Sequence, residues 1–519
     1  MIIGSWWLAG FRRLLQSLLN WVDSLLEKSP RKERLPFLWR EVHVPTPLVA
    51  VGAAAILFLV LLPETVSTQG FTLSRIAALI GLLALLVLFF VVYFRFDLPQ
   101  FLNDDEAVFL TGLCVVLGVI LIEIVLAFPQ QISPFAVPLG AVAILVTLLL
   151  HIRLALVISM VLSLVAGVLN QSSFDTIFVS FFSSCAAMLA AYRVRTRGDI
   201  TRAGFHVAWV TFLTMYGLDL FRGVGHSLVL KDLQWGLVNG FFCAAIPLGL
   251  LPVLESFFSR ITPITLLEVG DFNRPLLRRL MLEAPGTYHH TLLVAALAEQ
   301  AAEAIGANSL LCRVGMYYHD IGKLLHPEYF IENQLIRRSI SEKPGHHDKL
   351  NPSISSLVIM AHVKDGMALA RSNKVPEEVV RFIPEHHGTS LIKYFYMRQL
   401  EQENEEESLS PESFRYPGPR PHSKETVIGM LADSAEAASR TVEEPTYERL
   451  KDLVEKIVQS KFQDGQFDEA PVTLEDLRKI IVSFAHSLSA MYHVRIEYPE
   501  MPENEPSSPF RAEPPLSTE

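Results

Sequence analysis

The chain has 519 residues, of which 50% are hydrophobic and only 19% are charged, and its mean hydropathy is +0.33. Because soluble globular domains average about 25% charged residues, this composition excludes an ordinary soluble enzyme. It also excludes a disordered chain, whose mark is low hydrophobicity combined with high net charge.

The charged residues divide the chain into two regions. Residues 45–258 hold 20 of the 98 charged side chains, whereas residues 259–519 hold 67 of them. The first region has the composition of a membrane domain and the second that of a soluble domain. The net charge of −10 arises in the second region, and an acidic soluble region argues against large nucleic acids as partners.

The N-terminal segment, residues 1–44, is predicted to lie on the membrane surface. Trp6, Trp7 and Trp21 stand among Arg12, Arg13 and further aliphatic residues. Apolar and basic residues interleaved in this way are typical of an amphipathic helix in the lipid interface. This segment is therefore expected to be a cytoplasmic, membrane-associated extension.

Eight apolar stretches follow, each a candidate for a transmembrane helix, which needs about 20 mostly apolar residues. The first transmembrane helix is predicted within residues 45–64 and a seven-transmembrane domain within residues 74–258. The predicted spans are Pro47–Leu62, Arg75–Phe94, Ala107–Phe128, Ala136–Leu150, Leu154–Asn170, Thr176–Tyr192, Gly204–Phe221 and Trp235–Phe257. The sequence therefore predicts a multi-pass protein of the cell membrane, with the lipid bilayer as a partner.

Orientation follows from the basic residues in short loops, which stay on the cytoplasmic side. The segment before the first span is rich in Lys and Arg, and the loop after the sixth span carries Arg193, Arg195, Arg197 and Arg202. Eight spans with a cytoplasmic N-terminus return the C-terminal region to the cytoplasm. Glu123 and Asp219 fall near the predicted outer ends of spans, and their roles, in sensing or in helix packing, stay open.

The region after the last span is predicted to be all-α. Residues 259–281 form a connector, residues 282–497 form a helical domain, and residues 498–519, rich in Pro, Glu and Ser, form a disordered tail. Helical periodicity is strong from Thr291 to Ala304, and apolar runs flank the other histidines. The fold class is thus a polytopic helical membrane domain followed by a helical bundle.

Seven residues of this bundle are the ligand types that divalent metals prefer. They are His290, His319, Asp320, His362, His386, His387 and Asp433. Each is expected at or near the end of a separate helix, so that a bundle could bring them to one point. Imidazole and carboxylate suit Mn, Fe or Zn, and one carboxylate between two clusters can bridge two ions. Two such ions support in-line hydrolysis of a phosphodiester.

Several motifs surround these residues. The stretches are APGTYHHTLLVAALAEQ, VGMYYHDIGKLLHPEYFIENQ, NPSISSLVIMAHVKDG, IPEHHGTSLIKYFY and ETVIGMLADSAEAASR. Together they resemble the HD-domain phosphohydrolase part of the seven-transmembrane HD family of bacterial membrane proteins. That family includes phosphodiesterases that hydrolyse the second messenger cyclic-di-AMP to pApA. The resemblance covers roughly residues 259–500, and the spans from residue 74 to 258 match in number and position.

The resemblance implies roles for individual residues. Asp320 would bridge two divalent transition metal ions, Mn or Fe, in a dimetal site. His290, His319 and Asp433 would complete one metal position, and His362, His386 and His387 the other. Lys323 would neutralise a phosphate oxygen, as Lys does in many phosphate sites, so Asp320 and Lys323 are the predicted catalytic residues.

Two departures from relatives bear on function. Typical family members insert a large extracytoplasmic domain after the first helix, whereas here about ten residues, near Pro63–Ser74, separate the first two spans. The related HD-GYP proteins, which hydrolyse cyclic-di-GMP, continue the double histidine as HHExxDGxGYP. Here Gly388, Thr389 and Ser390 follow His387, which disfavours cyclic-di-GMP.

The sequence therefore predicts a membrane-anchored phosphodiesterase that hydrolyses cyclic-di-AMP to pApA through a two-metal-activated hydroxide. One alternative is a membrane signalling receptor whose HD domain binds a nucleotide without turnover. Others are a phosphodiesterase for another cyclic dinucleotide or a short linear RNA, and a channel or transporter with a regulatory HD domain. A homo-oligomer is left open.

Overall fold

The computed structural model describes Tyr93 and residues 104–224, 226, 228–258, 260–338, 350–402 and 410–492. The predictions for the N-terminal segment, the first two spans (apart from Tyr93) and the disordered tail lie outside these residues. Within them the all-α prediction is confirmed, since they contain helices, one isolated bridge between Leu391 and Arg415, and no strand. They form two compact units: the first extends to Arg274 and also includes Lys374–Glu378, and the second comprises Pro275–Asn373 and the residues from Val379 onward.

In the described residues of the first unit, six helices have between 11 and 29 residues. They are α1 (Asp105–Leu126), α2 (Leu139–Leu149), α3 (Ile152–Leu169), α4 (Phe174–Ala191), α5 (Arg197–Phe221) and α6 (Val229–Phe257). Four of them, α1 from Glu106 onward, α3, α4 and α6, are long and apolar enough to cross a membrane. The chain is a membrane protein, and its total of eight spans stays a prediction.

The helices lie where the apolar stretches predicted spans, but α5 and α6 begin six or seven residues earlier than expected. The start of α5 is stabilised by a capping box, in which Thr196 and Asp199 exchange hydrogen bonds. The first turns of both helices contain charged residues, which a search for apolar stretches leaves out. Helix α6 continues through Pro247 and Pro252.

Helices α5 and α6 approach each other closely through glycines. A Cβ atom added at Gly204 would lie 2.6 Å from the carbonyl oxygen of Gly240, and one at Gly236 would lie 2.7 Å from that of Ala208. Small residues at such contacts let two helix backbones touch, as membrane helices commonly do. The predicted connector, residues 259–281, contains α7 (Pro263–Val269), which Thr262 caps.

The second unit is a bundle of short and medium helices. They are α8 (Pro275–Glu283), α9 (Pro285–Ile305), α10 (Ser309–Tyr318), α11 (Ile331–Arg338), α12 (Pro352–Ser372), α13 (Glu377–Val380), α14 (Phe382–Glu385), α15 (Lys393–Gln402), α16 (Lys424–Ser439), α17 (Tyr447–Gln463) and α18 (Leu474–Met491). Its hydrophobic core joins α9, α10, α16, α17 and α18 through buried residues such as Leu297, Met316, Leu431 and Phe484. Side-chain caps fix several helix starts, including Asn308 at α10 and Ser423 at α16.

Candidate metal centre

The seven predicted ligand residues come from five places in the second unit. His290 lies in the second turn of α9, and His319 and Asp320 directly follow α10. His386 and His387 follow α14, so these two pairs stand at helix ends as expected. The expectation was wrong for His362 and Asp433, which lie in the middle of α12 and α16, because helices crossing at a core can point mid-helix side chains at one another.

The structure brings all seven side chains together around Asp320. Its Oδ2 lies 3.2 Å from His319 Nε2 and 3.7 Å from His290 Nε2. Its Oδ1 lies 3.5 Å from His362 Nε2 and 3.7 Å from His386 Nε2. The two oxygens of one buried carboxylate thus face two different pairs of histidines.

Asp433 and His387 complete the cluster. Asp433 Oδ1 lies 3.0 Å from His290 Nε2 and 3.8 Å from His319 Nε2, and its Oδ2 lies 4.0 Å from His387 Nδ1. The side chains of Asp433 and His387 are 15% and 21% exposed, whereas that of Asp320 is 2% exposed. The cluster therefore opens toward solvent at Asp433 and His387.

The potential ligand atoms fall into groups small enough to hold a cation. Two groups, one of His362, His386 and His387 and the other of His290, His319 and Asp433, each have their ligand atoms within 4.8 Å of one another. A third group, His319, Asp320 and His386, connects them. The cluster thus has the donors for two ions, with Asp320 between them.

Three histidines are oriented by their own backbone. The Nδ1 atoms of His319, His362 and His386 hydrogen-bond the carbonyl oxygens of Met316, Ile359 and Phe382 at 2.7, 2.5 and 3.0 Å. A carbonyl oxygen only accepts, so Nδ1 carries a proton and Nε2 is the nitrogen that faces the centre of the cluster.

Four buried atoms of the cluster have no hydrogen-bond partner. They are His319 Nε2, His362 Nε2, His386 Nε2 and Asp320 Oδ1. Buried polar atoms are nearly always paired, so unpaired ones that converge on one point require an explanation. Nitrogen lone pairs and a carboxylate oxygen are the donor set of a divalent transition metal site, and the residues fit two such ions.

The electrostatic environment differs between the two ends of the cluster, one formed by His362, His386 and His387 and the other by the residues around Asp320 and Asp433. Burial, together with nearby His319, lowers the pKa of His386 to about 3. Burial and the neighbouring His386 likewise hold the pKa of His387 well below its ordinary value, and burial lowers the pKa of His362. These three imidazoles are therefore neutral at pH 7, which is the protonation state that a metal requires of its ligands.

At the other end the carboxylates dominate. Burial alone would lower the pKa of His319, but Asp320 and Asp433 outweigh it and raise that pKa to about 10. Burial likewise opposes ionisation of Asp320, yet His319 and Lys323 hold the pKa of its carboxyl well below the usual range. This end of the cluster attracts positive charge.

Lys323 lies beside the bridging carboxylate. Its Nζ is 2.6 Å from Asp320 Oδ2 and 2.9 Å from Glu332 Oε1, and it sits 4.9 Å from the ring centroid of Phe330. Burial disfavours its charge, but Asp320 and Glu332 raise its pKa above the ordinary value. Lys323 is therefore an ammonium at the edge of the cluster.

Gly322 allows the turn after Asp320 to pack against α12. A Cβ atom at this position would overlap the carbonyl oxygen of His362. The turn Ile321–Leu325 is a 3-10 helix that directly follows Asp320. Close contact between two backbones thus fixes Asp320 relative to His362, and only glycine fits there.

Sequence reasoning missed several residues around the cluster. Tyr416 stacks on His387 with ring centroids 4.1 Å apart, and Glu436 lies 2.6 Å from His290 Nδ1. Glu332 binds Lys323. Glu436 had a signal in the sequence, because it is a second carboxylate one turn after Asp433 on the same helix, whereas Tyr416 and Glu332 had none.

Family comparisons agree with the two-part organisation. Residues 73–262 match the model of a family described as 7TM receptor with intracellular HD hydrolase, and residues 287–438 match that of the HD domain.

Curated relatives and solved structures show similarity as well. The chain is 36% identical over 82% of its length to the cyclic-di-AMP phosphodiesterase PgpH of Bacillus subtilis, covering 60% of that protein. It is 36% identical over 64% of its length to PgpH of Listeria monocytogenes, covering 45% of it. A crystal structure of the Listeria monocytogenes PgpH HD domain in complex with cyclic-di-AMP is 42% identical, covers 43% of this chain and 100% of that one, and gives a TM-score of 0.39. The chain thus spans about 60% or less of the curated relatives' length.

Proposed function

Because the chain belongs to the seven-transmembrane HD family, we propose that it is a membrane-anchored, metal-dependent phosphodiesterase that hydrolyses cyclic-di-AMP to pApA. The observation that carries the proposal is the convergence of seven ligand-type side chains with unpaired, buried imidazole nitrogens around Asp320. The substrate is proposed from the 36% identity to two relatives named cyclic-di-AMP phosphodiesterase.

Two divalent ions, Mn or Fe, would be held by the two groups of ligands. His290, His319 and Asp433 would hold one ion, and His362, His386 and His387 the other. Asp320 would bridge them, which the placement of its two oxygens between the histidine pairs supports. Such ions activate water and stabilise both oxygens of an in-line phosphoryl displacement.

The protein's own residues would do three things. The backbone hydrogen bonds of His319, His362 and His386 hold each Nε2 toward the centre, so the ligand geometry exists before a cation arrives. Lys323 would offer its ammonium to a phosphate oxygen of the substrate. The more exposed side, at Asp433 and His387, would admit the phosphodiester.

The topology is also part of the proposal. The boundaries stay those of the sequence analysis, with a seven-transmembrane domain in residues 74–258 and a catalytic domain in residues 282–497. The catalytic domain would face the cytoplasm, which the basic loop after α4 supports.

A substrate panel tests this function. The full-length chain in nanodiscs, supplied with Mn²⁺ or Fe²⁺, is incubated with cyclic-di-AMP, cyclic-di-GMP and short linear RNA, and the products are separated by chromatography. We expect conversion of cyclic-di-AMP to pApA ahead of the other substrates. Preferred cleavage of another substrate would refute the cyclic-di-AMP assignment, and nucleotide binding without any product would favour the receptor alternative.

A further inference from the structure

Glu436 is a buried carboxylate that contacts the cluster from behind. It lies one turn after Asp433 on α16 and is 1% exposed. Its Oε2 lies 2.6 Å from Nδ1 of His290, the ring nitrogen that faces away from Asp433 and Asp320. Glu436 is outside the predicted ligand set. It contacts one predicted ligand, His290, and does not face the centre on which the ligand atoms converge.

Arg440, one turn further along α16, fixes the other oxygen of this carboxylate. Its Nε and one terminal guanidinium nitrogen donate to Glu436 Oε1 at 2.9 and 2.7 Å. Two N–H groups on one oxygen hold the carboxylate in position by charge-assisted hydrogen bonds, and the same terminal nitrogen of Arg440 also lies 3.5 Å from His290 Nδ1. The carboxylate is thus held at one oxygen by Arg440 and at the other by His290.

His290 differs in this respect from three other histidines of the cluster. His319, His362 and His386 each hydrogen-bond a neutral backbone carbonyl through Nδ1. His290 instead has an ionised side chain at Nδ1, while its Nε2 lies 3.0 Å from Asp433. A carboxylate at the far nitrogen fixes the tautomer and makes the imidazole a stronger donor to a metal, and such partners affect metal affinity by about 10–100-fold.

We infer that Glu436, held by Arg440, is a positioning residue that directs His290 Nε2 toward one of the two metal positions and strengthens that position selectively. The inference rests on the proposed dimetal site and adds an asymmetry to it. The position formed by His290, His319 and Asp433 has a charged residue behind one ligand. The position formed by His362, His386 and His387 has backbone carbonyls behind His362 and His386.

The test is Mn²⁺ titration of the full-length chain in nanodiscs, followed by calorimetry and by the electron paramagnetic resonance of bound Mn²⁺. Wild type is expected to bind two ions. Glu436→Ala is expected to weaken one of them by about 10–100-fold and to leave the other unchanged. Glu436→Gln, whose amide oxygen still accepts from Nδ1, is expected to restore part of that affinity and guards against a folding defect in the alanine variant.

A double-mutant cycle separates this role from a merely structural one. If Glu436 acts through His290, then Glu436→Ala adds no further loss of affinity in a His290→Ala background. Glu385→Gln is the matched control, because Glu385 is 3% exposed and hydrogen-bonds the backbone of His422 instead of a predicted ligand; it should retain both ions.

Three outcomes would overturn the inference while leaving the dimetal site intact. They are unchanged binding in Glu436→Ala, equal weakening of both ions, and independent losses in the double-mutant cycle. Failure of wild type to bind two ions would instead refute the proposed function.

Discussion

The two units of this protein use their surfaces in opposite ways. In the first unit the outward faces of the helices are apolar: Phe205, Trp209 and Leu213 on α5 are 61%, 58% and 57% exposed. In the second unit the exposed positions of α17 and α18 include ion pairs such as Lys451 with Glu455 and Lys479 with Glu475. Exposed apolar residues in a continuous band are the mark of a lipid-facing surface.

Buried polar groups differ between the units as well. Several buried hydroxyls in the first unit bond their own helix, as Thr111 does with Ala107 O at 2.8 Å and Ser163 with Ser159 O at 2.7 Å, and two that are unpaired, those of Ser184 and Thr211, lie on different helices. All three candidate metal groups in the described part of the chain lie in the second unit. A polar group that is hydrogen-bonded within its own helix stabilises the fold. Several unpaired polar atoms that converge on one point indicate a binding site.

The largest expected effect comes from removing the carboxylate of Asp320 at the centre of the cluster. Asp320→Ala should lower phosphodiesterase activity at least about 1,000-fold, because losing the proposed bridging ligand would remove several kcal/mol of transition-state stabilisation. Steady-state cyclic-di-AMP hydrolysis by the full-length chain measures it. The control is Asp175→Asn in the first unit, a carboxylate paired with half-exposed Arg222, which should change activity by less than about threefold. Similar losses of activity in both variants would contradict the assignment of catalysis to the second unit.

Metal removal should abolish the activity of the second unit reversibly and leave the folding of both units unchanged. Chelation followed by desalting should reduce activity about 100-fold or more, and added Mn²⁺ or Fe²⁺ should restore it, because the imidazole and carboxylate donors can bind the ions again. Circular dichroism should show the same helix content before and after, since the cores of both units are apolar. Full activity in a sample shown by mass spectrometry to hold no metal would contradict a metal-dependent reaction.

A matched pair of methionines tests the difference between the two surfaces. Met160, at the centre of α3, is 54% exposed, and Met397 on α15 is 55% exposed. Met160→Lys should disfavour insertion by about 3 kcal/mol because it places a charge in lipid. Met397→Lys should change stability by less than about 0.5 kcal/mol. Yield in the membrane fraction and thermal unfolding in nanodiscs measure both, and equal tolerance would place Met160 away from lipid.

A pair of glycines gives the smallest expected effect. Gly322→Ala should destabilise the protein by about 1–3 kcal/mol, because the added methyl group overlaps the backbone of α12. Gly217→Ala on α5, where the added Cβ would meet nothing within 4 Å beyond its own stretch of helix, should be neutral or stabilising by up to about 1 kcal/mol. Thermal unfolding of each full-length variant measures the difference, and a neutral Gly322→Ala would show that the turn after Asp320 can move.

The sequence was informative where a long apolar stretch predicts a helix, or where a residue type is one that metals prefer as a ligand. The helices α1 to α6 were predicted as spans because apolar stretches long enough for a membrane are rare elsewhere, and the charged first turns of α5 and α6 were missed. The seven ligand-type residues were found from their chemistry and from family resemblance, and their role as ligands stays a prediction.

Other features could not be read from the sequence. That Asp433 would act from the middle of a helix, and that Glu436 would stand behind His290, depends on how α9 and α16 cross. The stacking of Tyr416 on His387 depends on a loop about 30 residues away in the chain. Such contacts arise from tertiary packing, which the local pattern of apolar and polar residues does not predict.

The most direct test of the account is the number of metal ions held by each chain. Full-length protein in nanodiscs is loaded with Mn²⁺, desalted, and assayed for metal and protein by mass spectrometry and amino-acid analysis. The account predicts two ions per chain for wild type and fewer than two for Asp320→Ala. One ion or none in wild type, or an unchanged pair of ions in Asp320→Ala, would contradict a dimetal centre bridged by Asp320.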